Sequence, residues 1–210
     1  MYLPVDNVAL TKARYYFMNR EAGSQASTTF RQGFRMISGN SLRRSISIPI
    51  PDPPTSEWGP EDMSEEALRQ KAIGFNCLGS DPIEGSLQRH FLPNKTFIDD
   101  NCHGGLRLEL MFPSCWDGVS LDSHDHRSHV AFPSLLHDGE CPKGFTKRIP
   151  TLLYELAWQT QAFRHTSGTF VLANGDTSGL SYHGDFMTGW APEKLRQAGD
   201  ICTDMSGDIN

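Results

Sequence analysis

The chain has 210 residues, 38% of them hydrophobic, with 19 glycines, 13 prolines and a formal net charge of −6. That length suits one sizeable domain or at most two small ones, and the glycine and proline content favours short β elements with long connections over a helical bundle. The negative balance excludes a global attraction for nucleic acid or an anionic membrane, and no apolar run approaches the ~20 residues of a membrane-spanning helix.

The first residues, MYLPVDNVALTKARYYF, hold no basic stretch followed by an apolar one, so they do not read as a signal peptide. Residues 12–18, KARYYFM, predict a buried strand with aromatics on both faces. Residues 28–37, TTFRQGFRMI, alternate loosely, with Phe30, Phe34 and Met36 on one face and Gly33 suited to a bulge. Arg35, Arg43 and Arg44 form either a local basic patch or solvated surface. Residues 45–54, SISIPIPDPP, start as an edge strand and end as connector, because proline cannot donate to a sheet ladder.

Residues 64–73, SEEALRQKAI, predict a helix. Ser64 is an N-cap, Glu65 and Glu66 suit the helix dipole, and Gly74 ends it. Turn signals run from 78 to 101. Residues 106–112 give the clearest strand, with Leu106, Leu108, Leu110 and Phe112 alternating. Residues 130–132 are a short strand. Residues 150–160, PTLLYELAWQT, read as a strand whose buried face is Leu152, Tyr154, Leu156 and Trp158, although a helix also fits. A strand at 169–173 and a glycine-rich turn lead to a closing helix at 192–198, with Pro192 in its first turn.

The residues able to carry chemistry gather in two places. In SHDHRSH, His124 and His126 share a face if the segment is extended, and His126 and His129 do so if it is helical. Either arrangement sets two imidazoles beside one metal, with Asp122 or Asp125 as an oxygen ligand or supporting partner. The other reading is a polar loop whose histidines hydrogen-bond carbonyls. In NGDTSGLSYHGDF, the H-x-D spacing puts His183 and Asp185 on one side of a strand, where the carboxylate would orient the imidazole. Here Asn174-Gly175-Asp176 reads equally as a turn. Glu109 and Glu155 are among the carboxylates from which a glycosidase pair is built, but spacing in sequence does not show that two of them face each other. Trp116 and Trp190 suit either sugar stacking or the core.

Five cysteines lack any C-x-x-C spacing, so zinc is disfavoured. The preferred disulfides are Cys77–Cys102 and Cys115–Cys141, each closing a loop of about 25 residues worth ~3 kcal/mol in the chain-entropy model. Cys202 is left over. Asn94-Lys95-Thr96 is a glycosylation sequon on a polar stretch. These features belong to secreted proteins.

The order and spacing of FPSCWDG, DSHDHRSH, PTLLYEL and HGDFMTGW, within a match running from FRMISG at 34–39 to Cys202, resemble the secreted domain-of-unknown-function family numbered nineteen ninety-six, found in fungi and some bacteria. The resemblance implies an extracellular, disulfide-bonded protein of unestablished activity. It also implies that longer members begin with a signal peptide and a section bearing Ser-His-x-His, so this chain is expected to be a truncated member. Asp117, Asp122, Asp125, His126, His129, His183 and Asp185 match the family's motifs, whereas His103 and His124 do not. Members carry Asp near Gly104 and His-Pro where this chain has Phe145-Thr146, so no role is carried over to those positions.

The expected fold is one mainly β domain, a β-sandwich or curved sheet with two short helices and long loops, incomplete at the N-terminus. The expected function is a carbohydrate-active or hydrolytic protein, with Asp122, His126, His183 and Asp185 as catalytic residues. Asp117, Asp125, Trp116, Asp176 and Trp190 are the expected binding residues. His126, His129 and His183 are expected to hold a divalent metal, the two clusters meeting in one cleft. The alternative is a non-catalytic module that binds cell-wall polysaccharide or glycan.

Overall fold

The structure is a computed structural model that describes residues 2–4, 10–18, 29–46, 48 and 51–201, with side chains described at 29–46, 48 and 51–197. In chain order its strands are β1 (Tyr2–Pro4), β2 (Leu10–Met18), β3 (Arg35–Gly39), β4 (Ile73–Leu78), β5 (Gly105–Met111), β6 (Cys115–Trp116), β7 (Val130–Ala131), β8 (Lys147–Arg148), β9 (Thr151–Trp158), β10 (Thr169–Val171) and β11 (His183–Met187). The helices are α1 (Glu65–Lys71), α2 (Lys95–Asn101) and α3 (Pro192–Ile201). Strand outweighs helix, 25% to 16%, so the fold is mainly β as expected, with three short helices rather than two. The described residues divide into two compact units, those within 1–15, 38–111 and 153–184 in one and those within 16–37, 112–152 and 185–210 in the other.

The first unit is built on the four-stranded sheet β2-β9-β5-β4. Leu106, Leu108 and Leu110 of β5 are buried, as their alternation requires, and lie in antiparallel register with Cys77, Phe75 and Ile73 of β4. Each such side chain contributes roughly 1.5–3 kcal/mol by leaving water. The intervening residues of β5, Arg107 and Glu109, face the other way. Gly74 lies opposite Glu109, and a Cβ there would stand 2.5 Å from the Glu109 Oε2, so the carboxylate fits only against glycine. Leu152 of β9 is buried as predicted, but Tyr154, Leu156 and Trp158 are only half-buried.

Helix α1 starts where its cap predicts, the Ser64 side chain accepting from the Ala67 amide, and a Glu65–Arg69 pair at 2.7 Å braces its exposed side. Helix α2 was not expected. Its N-cap is Asn94, its C-cap is Cys102, and the Cys77–Cys102 disulfide ties that end to β4. Among the described residues of 45–54 there is no strand; residues 47, 49 and 50 lie outside the description.

In the second unit, β6 pairs with both β7 and β8, and the Cys115–Cys141 disulfide anchors β6. Both expected disulfides are therefore present, while Cys202 lies outside the described residues. Phe30, Phe34 and Met36 are all buried, as their spacing predicted. The Phe34 ring meets Trp116 edge-on at 5.8 Å and the His129 ring at 5.4 Å. Gly33 forms a turn with φ of 81° rather than a bulge.

Candidate functional site

The loop 117–129 is closed at its base by the β6–β7 register and by the Asp117 amide donating to the His129 carbonyl at 3.1 Å. Two backbone bonds and one from a side chain tie it to β3: Arg35 N to Leu121 O (3.0 Å), Ile37 N to His126 O (2.8 Å) and His129 Nε2 to Arg35 O (2.8 Å). The loop is long but its shape is fixed.

Two of its acidic residues are consumed in fixing that shape. Asp117 Oδ1 accepts from the amides of Val119 (2.8 Å) and Ser120 (2.9 Å). Asp125 Oδ1 accepts from Ser123 Oγ, Arg127 N, Ser128 N and Ser128 Oγ, all within 3.0 Å. At both, burial is the largest single influence and acts upward, yet these donors outweigh it and hold the carboxyls below the usual range, Asp125 well below. Short acidic side chains that serve amides two and three residues on are turn formers. Asp176, proposed beside them from the sequence, is buried and likewise accepts from backbone and hydroxyl donors, those of Ser178 and Ser181, at 2.6–2.9 Å. Its carboxyl too lies below the usual range: burial pushes upward and the serine bonds prevail.

His129 is a core residue. Its Nε2 faces a carbonyl, which only accepts, so the hydrogen is on Nε2, and Nδ1 faces the Ser123 hydroxyl at 2.9 Å. The single hydroxyl hydrogen of Ser123 is shared between His129 and Asp125. Both ring nitrogens of His129 are thus engaged, leaving no lone pair directed at an ion. Among the described residues no group of three His, Cys, Asp or Glu side chains is placed to hold a metal. Trp116 is also core: it is buried, its indole N–H donates to Ser120 O at 2.6 Å, and the Arg31 guanidinium lies 5.0 Å from its ring centre.

What remains is a dyad. His126 Nδ1 lies 2.6 Å from Asp122 Oδ1, with the imidazole 36% and the carboxylate 30% exposed. The hydrogen bond from His126, more than any other influence, holds the Asp122 carboxyl below its ordinary value, helped by the Ser123 amide and by Arg35, whose Nη1 is 3.6 Å from Oδ2. With Nδ1–H donated to the carboxylate, the lone pair is on Nε2, which has no hydrogen-bond partner among the described residues. His126 adopts φ of 55°, the left-handed region that histidine enters more readily than most residues. The sequence signal was present but not local to a helix: Asp122 and His126 are four apart, and a turn rather than a helix brings them together.

On β11, His183, Asp185 and Met187 are exposed and alternate with half-buried Gly184 and Phe186, so the two predicted residues do share a side. The Nδ1 of His183 lies 2.9 Å from the Ser181 carbonyl. Trp190 is half-exposed at 53%. Sequence spacing did not show that Glu109 and Glu155 meet. They are register partners across β5 and β9, both contacted by Arg107, at 2.9 and 3.4 Å. Glu109, however, is fully buried and accepts from Ser86 Oγ (2.7 Å), Leu87 N (2.6 Å) and Asn76. Burial, with a smaller contribution from Glu155, pushes its carboxyl up against the pull of Arg107 and these donors. It pins the 84–90 loop and is closed to substrate.

No curated protein and no solved structure matches the chain. The model of one protein family does, across residues 2–190 and therefore across the loop and β11 just described. The chain belongs to that family, a domain of unknown function (DUF1996).

Proposed function

We propose that the protein is an extracellular hydrolase of cell-wall polysaccharide in which His126 exchanges protons and Asp122 orients it. The observation that carries this reading is the 2.6 Å Asp122–His126 contact, with no hydrogen-bond partner at Nε2 among the described residues. In the proposed step Nε2 takes a proton from the attacking water, Asp122 stabilises the imidazolium, and the proton passes to the leaving oxygen as the substrate bond breaks. Two disulfides support an oxidising, extracellular setting. Trp190, 53% exposed, is a side chain of the kind sugars stack on. His183 and Asp185 are both exposed on β11, and the proposed step does not use them.

The second reading, a glycan-binding module without turnover, is favoured by Trp190 together with the assignment of Asp117, Asp125 and Asp176 to turns. The deciding experiment incubates the secreted protein with fungal and plant wall polysaccharides and measures released sugar and bound protein. Release lost in Asp122→Asn and His126→Ala supports the hydrolase. Binding without release, unchanged by both substitutions, supports the module and overturns the dyad.

A further inference from the structure

The chain contains one Asn-x-Ser/Thr tripeptide, Asn94-Lys95-Thr96, and nothing in the proposed reaction uses it. Three observations bear on its chemistry. First, Asn94 and Thr96 are both exposed, whereas the preceding Leu92 and Pro93 are buried and hold the tripeptide at the surface. Second, Asn94 has extended backbone (φ −67°, ψ 162°), and its side-chain oxygen is the acceptor for the Phe97 amide at 2.8 Å. The oxygen is therefore spent inward, and the Nδ2 amide, with both hydrogens, has no hydrogen-bond partner among the described residues. Third, the middle residue does not screen it. The Lys95 ammonium turns away to Asp99 Oδ2 (2.6 Å) and the Phe163 carbonyl (2.9 Å). The adjoining Cys77–Cys102 disulfide places the segment in a chain made for an oxidising compartment, the setting in which oligosaccharides are transferred to asparagine.

We propose that Asn94 carries an N-linked glycan. In the transfer, Nδ2 bonds to the anomeric carbon of a lipid-linked oligosaccharide diphosphate; the lipid diphosphate leaves with the electron pair of the broken carbon–oxygen bond, and the one hydrogen that Nδ2 gives up departs as a proton that balances the leaving group's added negative charge. The product amide keeps its oxygen and one N–H. Its oxygen still accepts from Phe97, so glycan and helix cap coexist on one side chain.

The test secretes the full chain, behind a signal sequence, from an N-glycosylating eukaryotic cell, and examines secreted and cell-retained protein alike. Peptide-N-glycosidase treatment in heavy-oxygen water is expected to lower the mass by one glycan and to convert Asn94 to labelled aspartate. Asn94→Asp separates modification from folding, since aspartate caps a helix as well as asparagine does but accepts no glycan. It is expected to keep both disulfides and lose the shift. Thr96→Ser is expected to retain the glycan and Thr96→Ala to lose it, which repeats the test without touching the cap. An unmodified Asn94 in disulfide-bonded chain overturns the proposal, as does a mass shift that survives Thr96→Ala.

Discussion

The ammonium of Lys71, which has no exposure to solvent, lies 2.8 Å from Oδ1 of Asp52. The other oxygen of Asp52 meets His90 Nε2 at 3.1 Å, and His90 Nδ1 meets the Ile73 carbonyl at 2.7 Å. Asp62 approaches the same ammonium at 3.4 Å and Trp58 covers it at 4.6 Å. One segment, residues 52–62, thus supplies both carboxylates and the aromatic lid for a lysine at the end of α1. Removing Asp52 leaves the buried cation only the longer Asp62 contact, and breaking a buried pair costs up to about 3–5 kcal/mol, whereas replacing a whole buried pair by apolar groups is often nearly neutral. Asp52→Ala is expected to destabilise by about 3 kcal/mol in urea denaturation, and the double variant Asp52→Leu/Lys71→Met to recover most of it. A loss below about 0.5 kcal/mol for the single variant would show that Asp52 is not what compensates Lys71.

The same segment should loosen in acid. Burial acts upward on Asp52 and is the largest single influence, but the hydrogen bonds and charges of His90 and Lys71 outweigh it and leave the carboxyl below its ordinary 3.8. A carboxyl lowered in the folded state stabilises fully above its unfolded value and loses that contribution as pH falls through the folded value. Glu84, Asp117, Asp122, Asp125 and Asp176 are shifted in the same direction. Glu109 is shifted the opposite way, so its contribution is lost as pH rises from its unfolded value, 4.5, through its folded one. The six lowered groups set the net sign. Stability is expected to fall steeply below pH ~3.8, with Trp58 emission, isolated by subtracting the Trp58→Phe variant, changing in the same range. An emission flat to pH 2 would refute the linkage.

For the exposed dyad, activity and stability should part company. In the proposed reaction His126→Ala lowers kcat by ~10²–10⁴-fold. Asp122→Asn lowers it too, by leaving the imidazole without its anionic partner. The Asp122→Asn denaturation midpoint shifts only slightly, because surface ion pairs hold little stability. A midpoint that drops in step with activity would mean that Asp122 shapes the loop instead.

Asp176 should show the reverse. Its four bonds from Ser178 and Ser181 organise the turn before β11, and truncation orphans buried donors at about 1–3 kcal/mol each. Asp176→Ala is expected to cost about 3 kcal/mol, measured by thermal unfolding, while leaving glycan binding per folded molecule unchanged. Lost binding at full stability would return Asp176 to the ligand site.

What was legible in the sequence was local. Ser64 with Glu65 and Glu66 marked α1, the leucines of β5 marked its buried side, and loop length alone paired the four cysteines. Helix α2 was hidden because KTFIDDN carries little apolar periodicity; its supports are the Asn94 cap, the Lys95–Asp99 pair and the disulfide at Cys102. The acidic residues of the loop were read as ligands because composition shows charge and not the direction of the nearest amide. Glu109 and Glu155 needed strand register to bring them opposite each other. Lys71, Asp52 and His90 come from three separate segments, and no spacing connects them.

The left-handed backbone at His126 separates what a turn asks for from what a proton carrier asks for. Glycine would satisfy the turn at no steric cost, and asparagine nearly so. Neither would answer Asp122 as an imidazole does. Drift that preserved only the loop's outline would therefore settle on glycine or asparagine here, and a variant library screened for folding alone would erase the dyad while every member still folded.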